Sequence, residues 1–305
     1  MFNYLKNWYF FFSLGFFVFC LGVKWTVIHQ YGSDLPYMDQ WNGEGTAIIL
    51  PWLEGKFNFI QSFWTPHNEH RIGWTRLWSL GWVLLNDQWD PLLVTTVNSV
   101  VHLSVGLVLI FILRKFFDGK MYWLGPLVIV SIYSFPIAWE NTLQAFQIQT
   151  YLSLGCALFV LSTLTNCKLT SFSGALGVIM AFAGIPCLSA AFAPPAAILI
   201  VRNLRAYKSR TWDKHDILVS VTCLVILFLA LLSINPTPGH EPLHAQSFFQ
   251  FIGFFIKVCS IPFHQEHWLF RLVAASLFQA PFLLFIVQLL KKNGKDWQKY
   301  ELTLF

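Results

Sequence analysis

Long apolar runs broken by short polar intervals dominate this chain, and most of the runs approach the roughly 20 residues that a helix needs to cross a bilayer core of about 30 Å. Eight such runs can be read: Trp8 to Val27, Pro91 to Leu113, Met121 to Ala138, Thr150 to Thr165, Ser171 to Cys187, Leu188 to Val201, Ile217 to Ile234 and Trp268 to Leu290. The fifth and sixth form one charge-free stretch of 31 residues with Pro186, Pro194 and Pro195 near its middle, which predicts a hairpin of short helices. The first run has the shape of a signal but no small-x-small cleavage site, so it predicts an uncleaved anchor. The fold class is therefore all-α, a polytopic membrane protein of about eight transmembrane helices forming a single membrane domain over 1–305.

Composition agrees with that pattern. Of 305 residues, 56% are hydrophobic and only 11% charged, with 31 Phe and 14 Trp, against about 25% charged in an ordinary soluble domain. Mean hydropathy is +0.56. Such a surface belongs to lipid, which excludes a nucleic-acid binder. The six cysteines all lie in or at the ends of apolar runs, where packing is the ordinary role.

Charge sets the orientation, because Lys and Arg in short loops stay cytoplasmic. With eight spans and both termini inside, 14 of the 20 basic residues are cytoplasmic and ten of the fifteen acids are outside. Merging the proline hairpin into one span, or counting 246–262 as a ninth, loses much of this bias. The segment 246–262 is better placed as an interfacial or re-entrant helix on the outer face.

One outer loop, residues 28–90, dominates the map. Seven of the fourteen tryptophans lie between Trp41 and Trp89. Trp74, Trp78 and Trp82 recur every four residues beside a polar stripe that includes Thr75 and Ser79, the pattern of a helix lying in the headgroup plane. Asp39 to Gly55 predicts another such helix, stopped by Gly55.

Acids and imidazoles gathered at the membrane surface are the candidates for chemistry. Asp39 stands shortly after the first span, and Glu140 stands at the outer end of the third. Between them runs Trp64-Thr-Pro-His67-Asn-Glu69-His70-Arg71. A carboxylate there can accept a proton from an attacking hydroxyl, while a second orients the acceptor or holds an ion. Arg71 and Arg76 can bind a phosphate through two parallel hydrogen bonds, Arg71 being the assigned contact. Gln144 and Gln147, three apart on one helical face with Asn141, can bind sugar hydroxyls, and Trp41 can stack on a sugar ring.

An early acid in a large first outer loop, surface helices in that loop and a second acid in the next one resemble the GT-C superfamily of polyprenyl-phosphate-sugar glycosyltransferases, which includes protein O-mannosyltransferases and the lipid A aminoarabinose transferase. The similarity runs from about Met1 to Thr165. It implies Asp39 as general base, Glu140 as second acid, and Glu69, His70, Arg71, Gln144, Gln147 and Trp41 around the substrate. The partners implied are a polyprenyl-phosphate-linked sugar, membrane lipid and an extracytoplasmic acceptor, with the bacterial inner membrane as location. The family usually has more spans and often a soluble C-terminal domain, so this chain would be a minimal version or one completed by a partner.

Two other readings stand beside it. A lipid-sugar flippase or transporter would use the same acids to gate, and would place polar residues near the bilayer midplane, where Asn98 and His102 are the main candidates. An outer-face metal-dependent hydrolase would draw on the echo between Pro66-His67-Asn-Glu69-His70 and Pro262-Phe-His264-Gln-Glu266-His267. Imidazoles and carboxylates suit zinc or manganese, so His67, His70, His264 and His267 are the candidate ligands of a divalent metal ion, the one cofactor this chain suggests.

Overall fold

A computed structural model describes residues 2–113, 124–135, 139–259, 268–273, 275, 276 and 279. They are mostly helical, with one two-stranded hairpin. Among them, four helices are long and apolar enough to cross a membrane: Phe10–Tyr31, Pro91–Leu113, Ala145–Leu164 and Lys214–Leu232. Shorter apolar helices cover Phe172–Gly184 and Phe248–Val258. His264, His267 and most of the eighth run lie outside the described residues.

The chain divides into two compact units, Met1–Leu199 with Ile217–Asn235, and Ile200–Asp216 with Pro236–Phe305. In the first, α1 (Phe2–Tyr31) packs against α5 (Pro91–Leu113) and α6 (Leu124–Ser134), and α5 packs against α8 (Ile148–Leu164), which in turn packs against α9 (Phe172–Gly184). Phe16, Cys20, Leu103, Ile110, Ile129 and Tyr133 form a buried core shared by α1, α5 and α6. Small residues allow the close approaches: a Cβ on Gly106 would lie 2.9 Å from the Tyr133 ring, in keeping with the small-residue interfaces of membrane helices.

The first loop folds into a cap of short elements. A π-helix spans Trp41–Ile49 and continues into α2 (Leu50–Leu53), which ends at Gly55 with φ of 68°. The helix expected from Asp39 to Gly55 is thus present, but its first part is wound wide. Next come α3 (Phe59–Trp64), capped by the Asn58 side chain accepting from Gln61 N, and a hairpin of β1 (Pro66–His67) and β2 (His70–Arg71). Asn68 takes the left-handed turn position at φ 51°, one that Asn tolerates. Finally α4 (Gly73–Asn86) packs on the π-helix and α3.

Two sequence expectations change here. The indoles of the Trp stripe do not simply point to headgroups: Trp74 Nε1 donates to Ala183 O (2.9 Å) and Trp78 Nε1 to Asn98 Oδ1 (2.9 Å). Thr75 and Ser79 of the polar stripe, and Arg76 beside them, are buried against the loop, where Arg76 bonds backbone carbonyls of the cap and Ser79 bonds Glu44. The sixth run is also displaced. Pro194 and Pro195 sit in the first turn of α10 (Ala193–Ser209), where proline's missing N–H costs nothing, so the helix reaches Ser209 and carries Arg202, Arg205 and Lys208.

In the second unit, Arg202 and Arg205 both bond Asp216, Arg202 at 2.5 Å. The unit also holds α12 (Phe248–Cys259), whose Phe248, Phe249, Phe251, Phe254 and Phe255 are exposed; the segment 246–262 is thus helical over most of its length.

Candidate functional site

The first loop lines a half-open cavity of about 690 Å³ with a mixed polar and apolar wall, within the usual range of ligand sites. Its wall includes Asn42, Asn58, Gln61, Lys56, His67 and Arg76. Each element supplies a face: the π-helix gives Asn42, α3 and its cap give Gln61 and Asn58, the hairpin gives His67, and α4 gives Arg76.

Asp39 is exposed at the start of this cap. Its Oδ2 lies 3.8 Å from His67 Nε2, too long for a hydrogen bond. The His67 ring meets Phe146 edge-on, centroids 5.2 Å apart, so the hairpin touches the turn that precedes α8. Burial pushes His67 down from its ordinary pKa, with Asp39 opposing and Arg76 adding to the shift. His70 is pushed down by burial too, against Glu69. Both imidazoles are thereby held neutral at pH 7. His67 Nε2 and His70 Nδ1 are buried atoms with no hydrogen-bond partner among the described residues.

The hairpin is anchored by Arg71. Its Nε donates to Ser233 O (3.1 Å) and its Nη1 to Trp64 O, while Asn235 N donates to Glu69 O (3.4 Å) and Asn235 Nδ2 to Asn68 O (3.4 Å). Arg71 therefore acts here as a clamp between the loop and the end of α11 (Lys214–Leu232). The arginine that lines the cavity is Arg76.

Arg76 is only 1% exposed. Its Nε donates to Gly43 O (2.8 Å) and its Nη1 to Ser62 O (2.8 Å) and Thr65 O (2.5 Å). Nη2 has no acceptor among the described residues. Close by, Glu44 is fully buried, its Oε2 accepting from Gln40 Nε2 (3.0 Å) and its Oε1 from Ser79 Oγ (2.7 Å). Burial lifts the Glu44 carboxyl to about 7, against the bonds from Ser79 and Gln40 and the Arg76 charge. Burial lowers Arg76 to about 10, Arg71 adding to the shift and Glu44 opposing it.

The remaining sequence candidates, Trp41, Glu140, Gln144 and Gln147, do not line the cavity. Trp41 is exposed and meets Trp89 edge-on at 5.6 Å. Glu140 stands exposed on α7 (Trp139–Leu143), which packs against α1. The single helix expected through Gln144 and Gln147 is interrupted: Gln144 is extended and a 3₁₀ turn covers Ala145–Gln147. The two amides still meet, Gln147 Nε2 donating to Gln144 Oε1 (3.1 Å), and Thr150 Oγ1 donates to Gln147 Oε1 (3.0 Å). Among the described residues, no group of three or more His, Cys, Asp or Glu side chains is placed to hold a metal ion.

Sequence reasoning passed over Glu44 and the carboxamides of the cavity. The available signal was a lone carboxylate between two glycines in an apolar-flanked helix, four residues after Gln40.

Comparison with protein-family models, with curated proteins and with solved structures finds no match to this chain.

Proposed function

We propose that this protein is a membrane glycosyltransferase of GT-C-like layout, moving a sugar from a polyprenyl phosphate carrier to an extracytoplasmic acceptor. In this reading the chain has about eight spans with both termini cytoplasmic, in a bacterial inner membrane. The observation that carries it is the cavity of about 690 Å³ with a mixed polar and apolar wall in the first loop, one of whose wall residues, His67, has the Asp39 carboxyl 3.8 Å away.

The chemistry asks for a base, alignment and charge stabilisation. The acceptor hydroxyl gives its proton to the Asp39 carboxylate and its oxygen bonds the sugar anomeric carbon. The bond from that carbon to the phosphate oxygen breaks, and the carrier phosphate leaves with the electron pair. His67 stays neutral beside Asp39 and makes no ion pair with it. The amides of Asn42, Asn58 and Gln61 face the cavity as partners for sugar hydroxyls, and Glu140 is the second acid. Arg71 holds the hairpin in place.

A flippase reading draws support from polar residues buried within the spans. Lys24 is 7% exposed and donates to Thr142 Oγ1 (3.2 Å), and His102 stacks on Tyr151 at 4.1 Å. The test is sugar transfer by purified protein from a set of polyprenyl-phosphate donors, comparing wild type with Asp39→Asn. The enzyme reading expects a loss of about 10²- to 10⁴-fold in the variant. Equal transfer by an equally well inserted variant removes Asp39 as base, and donor movement across vesicles without transfer favours the flippase.

A further inference from the structure

Arg76 holds an unusual position. Its guanidinium is sealed inside the loop and fixed by three backbone carbonyls from the π-helix, α3 and the residue that follows α3, yet it also forms part of the cavity wall. The three carbonyls fill Nε and Nη1 and leave Nη2 without a protein acceptor among the described residues. A buried cation with a free donor edge on a cavity is a site for an anion.

The compensating charge is unusual as well. Glu44 makes no ion pair with Arg76. Its two oxygens are taken by Gln40 and Ser79, so it balances Arg76 only through space. An oxyanion arriving at Nη2 and an ionised Glu44 would be two negative charges sharing one buried cation, and in a site of low dielectric such a pair cannot both stay ionised cheaply. The carboxyl can resolve the conflict by taking a proton, because both of its hydrogen-bond partners tolerate the neutral form: Ser79 Oγ can accept as well as donate.

Resting on the reading of this cavity as the substrate site, we infer that it binds an oxyanion of the phosphate or sulfate type on Arg76, and that the anion enters together with a proton taken up by Glu44. The groups that face this pair are Gln40 and Ser79 on Glu44, and Arg71 and Glu44 on Arg76. Asp39, His67, Glu54 and Lys56 stand around the hairpin and the cavity, with Glu69 beside His70. Above pH 7 both imidazoles are already neutral and Arg76 remains charged, whereas Glu44 is ionised in the empty site. Proton uptake in that window therefore belongs to Glu44.

The experiment is calorimetric titration of detergent-solubilised full-length protein with sulfate, whose charge is constant between pH 7 and 9. Affinity is expected to fall by about fivefold from pH 7 to 8 and about tenfold from pH 8 to 9, with proton uptake rising from about half a proton per anion at pH 7 to about one at pH 9, read independently from titrations in two buffers of different ionisation enthalpy. Glu44→Gln should abolish the slope and bind sulfate about tenfold or more tightly than wild type at pH 9. Arg76→Lys should weaken binding at every pH. Wild type that binds no sulfate, or binds it with a flat pH profile and no proton uptake, overturns the inference, and so does a slope retained by Glu44→Gln. Should that variant fail to fold, the two-buffer measurement on wild type decides alone. Parallel titrations with inorganic phosphate and geranyl phosphate separate a free anion from an isoprenyl phosphate headgroup. Proton-linked binding without sugar transfer leaves this site standing while the transferase reading falls, and Asp39-dependent transfer with proton-independent binding does the reverse.

Discussion

Glu44 and Arg76 are sealed in the same loop interior, opposite in charge and electrostatically coupled, yet every hydrogen bond of each goes to another partner. A carboxyl raised from 4.5 to about 7 binds its proton more tightly in the folded chain. Stability from this group is therefore complete below about pH 4.5 and is lost as pH rises to about 7, a change of about 3 kcal/mol. His67 and His70, pushed down by burial, act in the opposite sense below their ordinary value of 6.5. Thermal melts in detergent should show Glu44→Gln gaining on wild type steadily between pH 4.5 and 7 and holding a constant lead above. A difference that ignores pH would refute the assignment.

Arg76 ties three segments of the cap through Gly43, Ser62 and Thr65 carbonyls. Arg76→Leu leaves those acceptors unpaired and Glu44 uncompensated, and should cost about 3 kcal/mol or more. Limited proteolysis between residues 40 and 70 is the readout. Arg71→Leu, which loses two carbonyl bonds at a half-exposed site, should cost less.

Glycines in α4 separate packing from propensity. A Cβ at Gly73 would sit 2.6 Å from both the backbone oxygen and the ring of Phe63, whereas one at Gly81 meets nothing within 4 Å. Gly73→Ala is expected to destabilise by about 1 to 3 kcal/mol, and Gly81→Ala to be neutral or stabilising by up to about 1 kcal/mol. Melting temperatures of the two single variants check both signs.

Asn98 links α4 to the turn before α8, accepting from Trp78 Nε1 (2.9 Å) and donating to Ala145 O (2.6 Å). Asn98→Leu strands both groups in a buried setting and should cost about 2 kcal/mol or more. Quenching of tryptophan fluorescence by a lipid-phase quencher should rise as Trp78 is released. Unchanged melting and quenching would show that the bridge contributes little.

Much of this architecture is written in the pattern of the chain. The runs near Pro91 to Leu113 and Thr150 to Thr165 became α5 and α8 because their length and apolarity leave a helix as the only way to satisfy the backbone in lipid. Gly55 ended its helix for a local reason, its freedom at positive φ. The hairpin at His67 and His70 was less legible, since a two-residue ladder gives no periodicity to read.

What the sequence determined alone was therefore the helical class and the apolar runs that became the four helices long enough to cross a membrane. Burial was decided only by tertiary structure. Arg71 and Arg76 look equivalent in one dimension, but one grips the end of α11 and the other lines a cavity, because the face each residue presents depends on elements far along the chain. Glu44 became a titrating group only when Gln40, Ser79 and Arg76 closed around it, since desolvation belongs to the packed enclosure and has no counterpart in the order of residues.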